Sequence, residues 1–253
     1  MMNNQPTPQE KPLLFTPDNR AAVRLGIKTE TRRLMKPQPH FGKEMGNDPA
    51  ALLSGATPML RQNYGYVQLT NGHEFGPMRS PYGCPQQNPV RYWVREPVQV
   101  LSIDNRDMDS INAHIQYCDD ITVSTTAITE SDYQKLSTGK PLEQRSTHPR
   151  FMFKSFTRTW LKGVSVHPEQ LGDITPEDAI AEGIELDPDV VINISDVDER
   201  LTWAYSQTWR DYLNGGYDLD PVQSYVSLWQ SIHGEDAWDP RQWVWVVRFE
   251  IQG

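Results

Sequence analysis

The densest run of side chains able to do chemistry is Lys28-Thr29-Glu30-Thr31-Arg32-Arg33. A hydroxyl attacks a carbonyl only where a neighbouring base takes its proton. A lysine serves as that base only if burial or nearby cations lower its pKa, and Arg32 and Arg33 are close enough in sequence to contribute. A carboxylate can instead activate water. Read without a fold, the same run is equally a solvated charged face. Other chemistries find no footing. His40, His73, His114, His167 and His233 lack metal-ligand spacing, as do Cys84 and Cys118, so the expectation is no metal and no cofactor. There is no glycine-rich phosphate loop and no Ser/His/Asp signature.

The elements that must position this run have clear punctuation. Thr16-Pro17-Asp18 predicts a helix start, with an exit at Gly26. Residues 36–89 are broken by prolines and read as a long loop or insertion. Val90–Arg95 alternates and predicts a strand, and residues 157–166 predict another. A weak strand at residues 115–118 and a short helix after Thr129 fall in a polar, peripheral stretch. Helices are predicted from Thr175-Pro176 to Gly183 and from Asp220-Pro221 to Gly234. Another is predicted from near Asp196 or Asp198, with Leu201, Tyr205, Trp209 and Tyr212 on one face. Residues 243–251 predict a strand covered on both faces at first, then alternating. The class that follows is α+β.

The chain has 253 residues and a net charge of −9. The charge is uneven. Residues 1–100 carry 12 Lys/Arg against 7 Asp/Glu, and the rest carry 12 against 26. A local basic face on an acidic protein is therefore allowed. No stretch approaches the roughly 20 apolar residues of a membrane span. Residues 1–10 are polar, lack a signal-like apolar segment, and read as a disordered lead-in. Two isolated thiols point to a reducing compartment, so the expected location is the cytoplasm.

Several segments, in order, carry a resemblance. They are Lys11-Pro12-Leu13-Leu14-Phe15, Gly26-Ile27-Lys28-Thr29-Glu30-Thr31-Arg32-Arg33, Tyr92-Trp93-Val94-Arg95-Glu96, His148-Pro149-Arg150-Phe151, Leu171-Gly172-Asp173-Ile174-Thr175, Ala181-Glu182-Gly183-Ile184, Leu228-Trp229 and Trp243-Val244-Trp245-Val246. This order resembles ASCH-domain proteins, above all the longer forms encoded by bacteriophages and prophages. The resemblance covers about residues 11–251 and is poor at 37–89 and 102–146. It implies a PUA-like β-barrel with flanking helices and long loop insertions, a fold shared with RNA-binding modules. The chain then reads as one domain over 11–253, with insertions at about 37–89 and 102–147.

Small ASCH members are similar to N4-acetylcytidine amidohydrolases, whose Lys, Thr and Glu fall on Lys28, Thr31 and Glu182. In a straight strand positions 28 and 31 point to opposite faces, so they converge only on a turn or bulge. Arg32, Arg33, Trp93, Arg95, Glu96 and Arg150 are the expected ligand-binding residues. Three readings stay open. One is a hydrolase acting on N4-acylated cytidine. A second is a non-catalytic module that binds a nucleoside, RNA or DNA. The third is a phage-encoded protein whose acidic surface binds a basic host partner.

Overall fold

The capping residues and the prolines set where the helices begin. The computed structural model describes residues 7–36, 38, 57–61, 64–68, 74–107, 110–138, 146–188 and 208–252. In chain order these form β1 (Gln9–Leu14), α1 (Pro17–Arg24), β2 (Glu30–Leu34), β3 (Thr57–Arg61), β4 (Tyr64–Gln68), β5 (Glu74–Arg79) and β6 (Val90–Arg95). Then come β7 (Val98–Asp107), β8 (Ser110–Tyr117), β9 (Val123–Ile128), α2 (Glu130–Ser137), β10 (Ser146–Thr147), β11 (Trp160–Gln170) and α3 (Pro176–Ala181). The chain closes with β12 (Trp209–Arg210), β13 (Tyr217–Leu219), α4 (Pro221–His233) and β14 (Trp243–Gln252). The class is α+β. The strand orders are linear, and among the described residues no sheet closes into a barrel. No helix among them is long and apolar enough to cross a membrane.

The chain forms two compact units. The first comprises Met1–Gln9, Leu25–Val90 and Gly163–Glu250. In it β2 pairs antiparallel with β14, and β11 lies on the other side of β14. Its core packs Leu171, Ile174, Ala179, Ile184, Trp209, Tyr225 and Trp229 against Val244 and Val246. Two helices supply this core, and each begins with a cap and a proline. Thr175 accepts the Asp178 N–H and starts α3; Asp220 accepts the Gln223 N–H and starts α4. The buried face of α4 is Tyr225, Leu228 and Trp229, while Ile232 is exposed. β14 is buried along Trp243–Val247 and alternates beyond it, as its sequence predicts.

The second unit comprises Glu10–Arg24, Arg91–Lys162 and Ile251–Gly253. β1, β6 and the first residues of β11 are neighbours there. A four-stranded sheet, β10-β7-β8-β9, carries its own core of Val98, Val100, Ala113, Ile115, Tyr117, Met152 and Phe156. Glu96 is fully buried in this unit. Its carboxylate takes hydrogen bonds from Arg158, Arg24 and the Thr159 hydroxyl. Arg20 meanwhile grips Asp119 through two of its nitrogens.

Three sequence expectations need correction. The supposed loop over 36–89 contains the antiparallel sheet β3-β4-β5. The stretch taken as peripheral holds the long strands β7 and β8, whose inward residues build a core. The helix expected through Trp209 and Tyr212 lies largely outside the described residues, but Trp209 itself is in β12, paired with β13. The local cause is a tight turn: Asp211 accepts the N–H groups of Leu213 and Asn214, and Gly215 and Gly216 follow at φ +80° and +87°.

Gly172 shows how closely the first unit is packed. It follows β11 and donates its N–H to the Pro240 carbonyl, just before β14. A Cβ added there would lie 2.5 Å from the Pro240 Cβ. Proline has no rotamer by which to yield, so Gly172→Ala should destabilise the protein by about 1–3 kcal/mol, read as a lower urea midpoint. An unchanged midpoint would mean that this contact is loose in solution.

Candidate active site

Lys28 reaches its position because the chain turns before β2. Gly26 adopts φ +72° after α1, which only glycine does without strain. Residues 27–29 then lead into β2. The Thr29 N–H donates to the Ala181 carbonyl at the end of α3, and the Thr29 carbonyl accepts from the Phe249 N–H on β14. This ties the start of β2 between a strand and a helix end. Glu182 caps the C-terminus of α3, and Gly183 follows at φ +80°. The carboxylate therefore comes from a helix end and meets β2 along its outer edge.

The contact is direct. The Lys28 ammonium donates to Glu182 Oε2 at 2.6 Å and also to the Glu182 backbone carbonyl. The Arg32 backbone N–H donates to Glu182 Oε1. Lys28 is 2% exposed and Glu182 3%. Burial pulls the Lys28 pKa below its ordinary value, helped by the charge of Arg33 and opposed by Glu182. A buried ammonium can lose its proton more readily than an exposed one, which general base work requires.

Around this pair is a larger network, all of it within the first unit. The Arg32 guanidinium contacts Glu30, Glu169 at 2.8 Å, Asp178 at 3.2 Å and Glu182 at 3.6 Å. These carboxylates outweigh the burial that would lower its pKa, and raise it. Arg248 lies opposite Glu30 across the β2–β14 pair and bonds both Glu30 and Asp178. Burial raises the Glu30 pKa against the pull of Arg32 and Arg248. His167 Nε2 approaches Glu169 at 3.5 Å. The Tyr225 ring lies 6.0 Å from the Arg32 guanidinium carbon, and burial together with Glu182 pushes its hydroxyl well above the ordinary tyrosine range.

The sequence-predicted residues divide accordingly. Lys28 and Glu182 are brought together across 154 residues of sequence. Thr31 is buried, but the two-residue repeat of β2 sets it on the face opposite Glu30 and Arg32. Among the described residues its hydroxyl bonds neither Lys28 nor Glu182. Arg32 is not an open cationic wall, because its guanidinium is enclosed by carboxylates. Arg33 is half-buried, and its charge acts on both Lys28 and Tyr82. Trp93, Arg95, Glu96 and Arg150 belong to the second unit. Trp93 is buried, the Arg95 guanidinium stacks on it at 4.7 Å, and Arg95 donates to the carbonyl of the exposed Arg150. The reading of 28–33 as a solvated charged face is overturned for Lys28, Glu30 and Arg32, all buried. Sequence reasoning missed Glu169, Asp178 and Arg248. Only Glu30-x-Arg32 left a trace, since residues two apart on a strand share a face.

No group of three or more His, Cys, Asp or Glu side chains able to hold a metal occurs among the described residues. No protein-family model, no curated protein and no solved structure matches this chain significantly.

Two outcomes follow from the geometry. Lys28→Ala strands the buried Glu182 carboxylate, so it should cost about 3–5 kcal/mol of stability. Lys28→Met combined with Glu182→Leu should lose less than the sum of the two single losses in urea unfolding, although the Arg32 N–H then loses its acceptor. A double-variant loss equal to the sum of the two single losses would mean the pair is not coupled. The second outcome concerns acid. Burial raises the Glu169 pKa, but the His167 hydrogen bond and the Arg32 charge outweigh it and hold it below 4.5. A depressed carboxylate contributes stability above its unfolded pKa and loses it as pH falls through its folded pKa. Glu169→Gln should therefore lower stability at neutral pH and flatten its decline between roughly pH 5 and 3. A decline as steep as that of the unaltered protein would remove Glu169 from the acid response.

Proposed function

We propose that the first unit recognises a nucleobase and hydrolyses the amide of N4-acylated cytidine, in the manner the ASCH resemblance implies. The observation that carries this reading is the buried hydrogen bond from Lys28 to Glu182. It joins the lysine and the glutamate that the resemblance assigns to catalysis. The antiparallel β2–β14 pair and its flanking helix are read as part of a PUA-like module. The basic balance of residues 1–100 suits RNA or DNA in a cytoplasmic setting.

The chemistry uses water as the attacking group, because Thr31 lies across the strand from the pair. Glu182 takes a proton from water while the water oxygen bonds the acyl carbon. Lys28 donates a hydrogen bond to the oxyanion that forms. Collapse breaks the C–N bond, and Glu182 returns the proton to N4, releasing the cytosine amine and a carboxylic acid. Ligand binding has to displace Lys28 from Glu182, so the ligand's own polar groups must replace the contact that is lost.

A second reading, recognition without chemistry, is favoured by one observation: both Glu182 carboxylate oxygens already accept hydrogen bonds. Binding of a host protein through the acidic surface remains a third.

Incubation with N4-acetylcytidine, followed by chromatography of cytidine and acetate, separates these readings. Turnover that falls about a hundredfold or more in Glu182→Gln, and less than about tenfold in Thr31→Ala, supports the hydrolase. No turnover, but salt-sensitive binding of labelled RNA, supports the recognition module. Neither turnover nor binding removes both.

A further inference from the structure

Every sheet has two edges, and an exposed edge is a template for pairing with another chain. In this protein almost every edge strand carries a device that prevents it. β1 contains Glu10, Lys11 and Pro12, and Glu10 is engaged by Lys154. The outer side of β2 is closed at its start by Thr29 donating to Ala181, and further along by Arg32 donating to Glu182. β3 includes Pro58 and β5 includes Pro77. β10, β12 and β13 are two or three residues long.

β9 has none of these devices. It is the outer strand of the sheet β10-β7-β8-β9. Its sequence, Val123-Ser124-Thr125-Thr126-Ala127-Ile128, has no charge, no proline and no glycine. All six residues pair with β8 without a bulge, over Ile111–Gln116. Ser124, Thr126 and Ile128 face the core side, where the Thr126 hydroxyl donates to the Ser155 carbonyl. Val123, Thr125 and Ala127 are exposed. The neighbouring chain thus covers one face of β9. Among the described residues no strand covers its outer edge.

The turn before β9 holds this edge in place. Asp119 is gripped by Arg20, and Asp120 by Arg158 at 2.8 Å. Between them and β9 is Ile121, exposed and at φ +60°, a conformation that is strained for a β-branched residue. An uncharged, six-residue edge paired along its whole length with β8 is already extended, as strand addition requires.

We propose that β9 is a self-association surface that pairs antiparallel with β9 of a second copy of this chain. The inference does not depend on the catalytic reading. Three properties favour a second copy. An antiparallel strand pair is self-complementary about a two-fold axis, so one edge supplies both halves of the contact. The strand itself has no charge, so along its six residues two copies of an acidic protein meet without like charges facing each other. Alternation also permits a satisfactory register. Partners across an antiparallel pair must point to the same face, so the axis passes through a residue, and Thr125 and Thr126 are central. Centred on Thr125, the register sets Val123 opposite Ala127, Ser124 opposite Thr126 and Thr125 opposite itself. Threonine pairs of this kind are favourable across strands. The result is one sheet of eight strands. A six-residue edge buries less than a permanent dimer needs, so the association is concentration-dependent.

Sedimentation velocity from low micromolar to near-millimolar protein tests this. The expected result is a shift from monomer to dimer, with slower deuterium uptake at the β9 amides as concentration rises. Thr125→Lys places a charge on the axis or one residue from it and should weaken dimerisation about tenfold or more. Thr125→Val should preserve it. Unchanged melting temperatures for both variants confirm that the monomer fold is intact. A monomer at every concentration overturns the proposal. So does a dimer indifferent to Thr125→Lys, which would lie on another surface. Slow exchange, at the lowest concentration, of those β9 amides that point away from β8 would also overturn it, by showing that the chain itself covers this edge.

Discussion

The first unit depends on keeping the Arg32 guanidinium charged while it is almost entirely out of water. A buried cation without partners costs far more than any helix cap or turn can return. The fold meets this by aiming four carboxylates at it, from β2, β11, α3 and the cap of α3. Each lies on a different local structure, so the network can exist only when all of them are in place. Glu182 is in turn shared with Lys28 and with the outer edge of β2. One set of charges therefore fixes a strand edge, ends a helix and builds the candidate site.

The second unit solves the inverse problem. There the buried charge is the Glu96 carboxylate, and the surrounding groups are Arg24, Arg158 and Thr159. Arg158 also reaches Asp120 and stacks on the Tyr117 ring at 3.9 Å. The carboxylate raises the pKa of Arg158 and, together with burial, lifts the Tyr117 hydroxyl to about 12. Ion networks of this kind add less net stability than their number suggests, because desolvation offsets the attraction. Their effect is to make alternative packings expensive, since any misplacement strands a charge.

For the candidate site this has a chemical consequence. A lysine paired with a buried carboxylate is held at a fixed distance and orientation, as proton transfer requires. The same contacts could serve stability alone. The two roles differ in what happens when Glu182 loses its charge but keeps its shape: a structural pair loses stability, while a catalytic pair also loses turnover.

Local chemistry in the sequence determined the helix boundaries at Thr129, Thr175 and Asp220, because a cap satisfies backbone N–H groups within three residues of itself. It also determined β6 and β14, whose aromatic and β-branched residues alternate or run continuously according to how many faces are covered. The α+β class follows from those elements. Only the tertiary structure decided that Lys28, Glu30 and Arg32 are buried, since a run of charges reads as solvated until distant partners are known. Glu169, Asp178, Glu182 and Arg248 lie more than 130 residues away, and no local signal links them to β2. The strands β3, β4 and β5 were hidden by prolines that sit where edge strands tolerate them. Trp209 followed a helical spacing but became a strand, because Asp211 and two glycines at positive φ made a turn stronger than that periodicity.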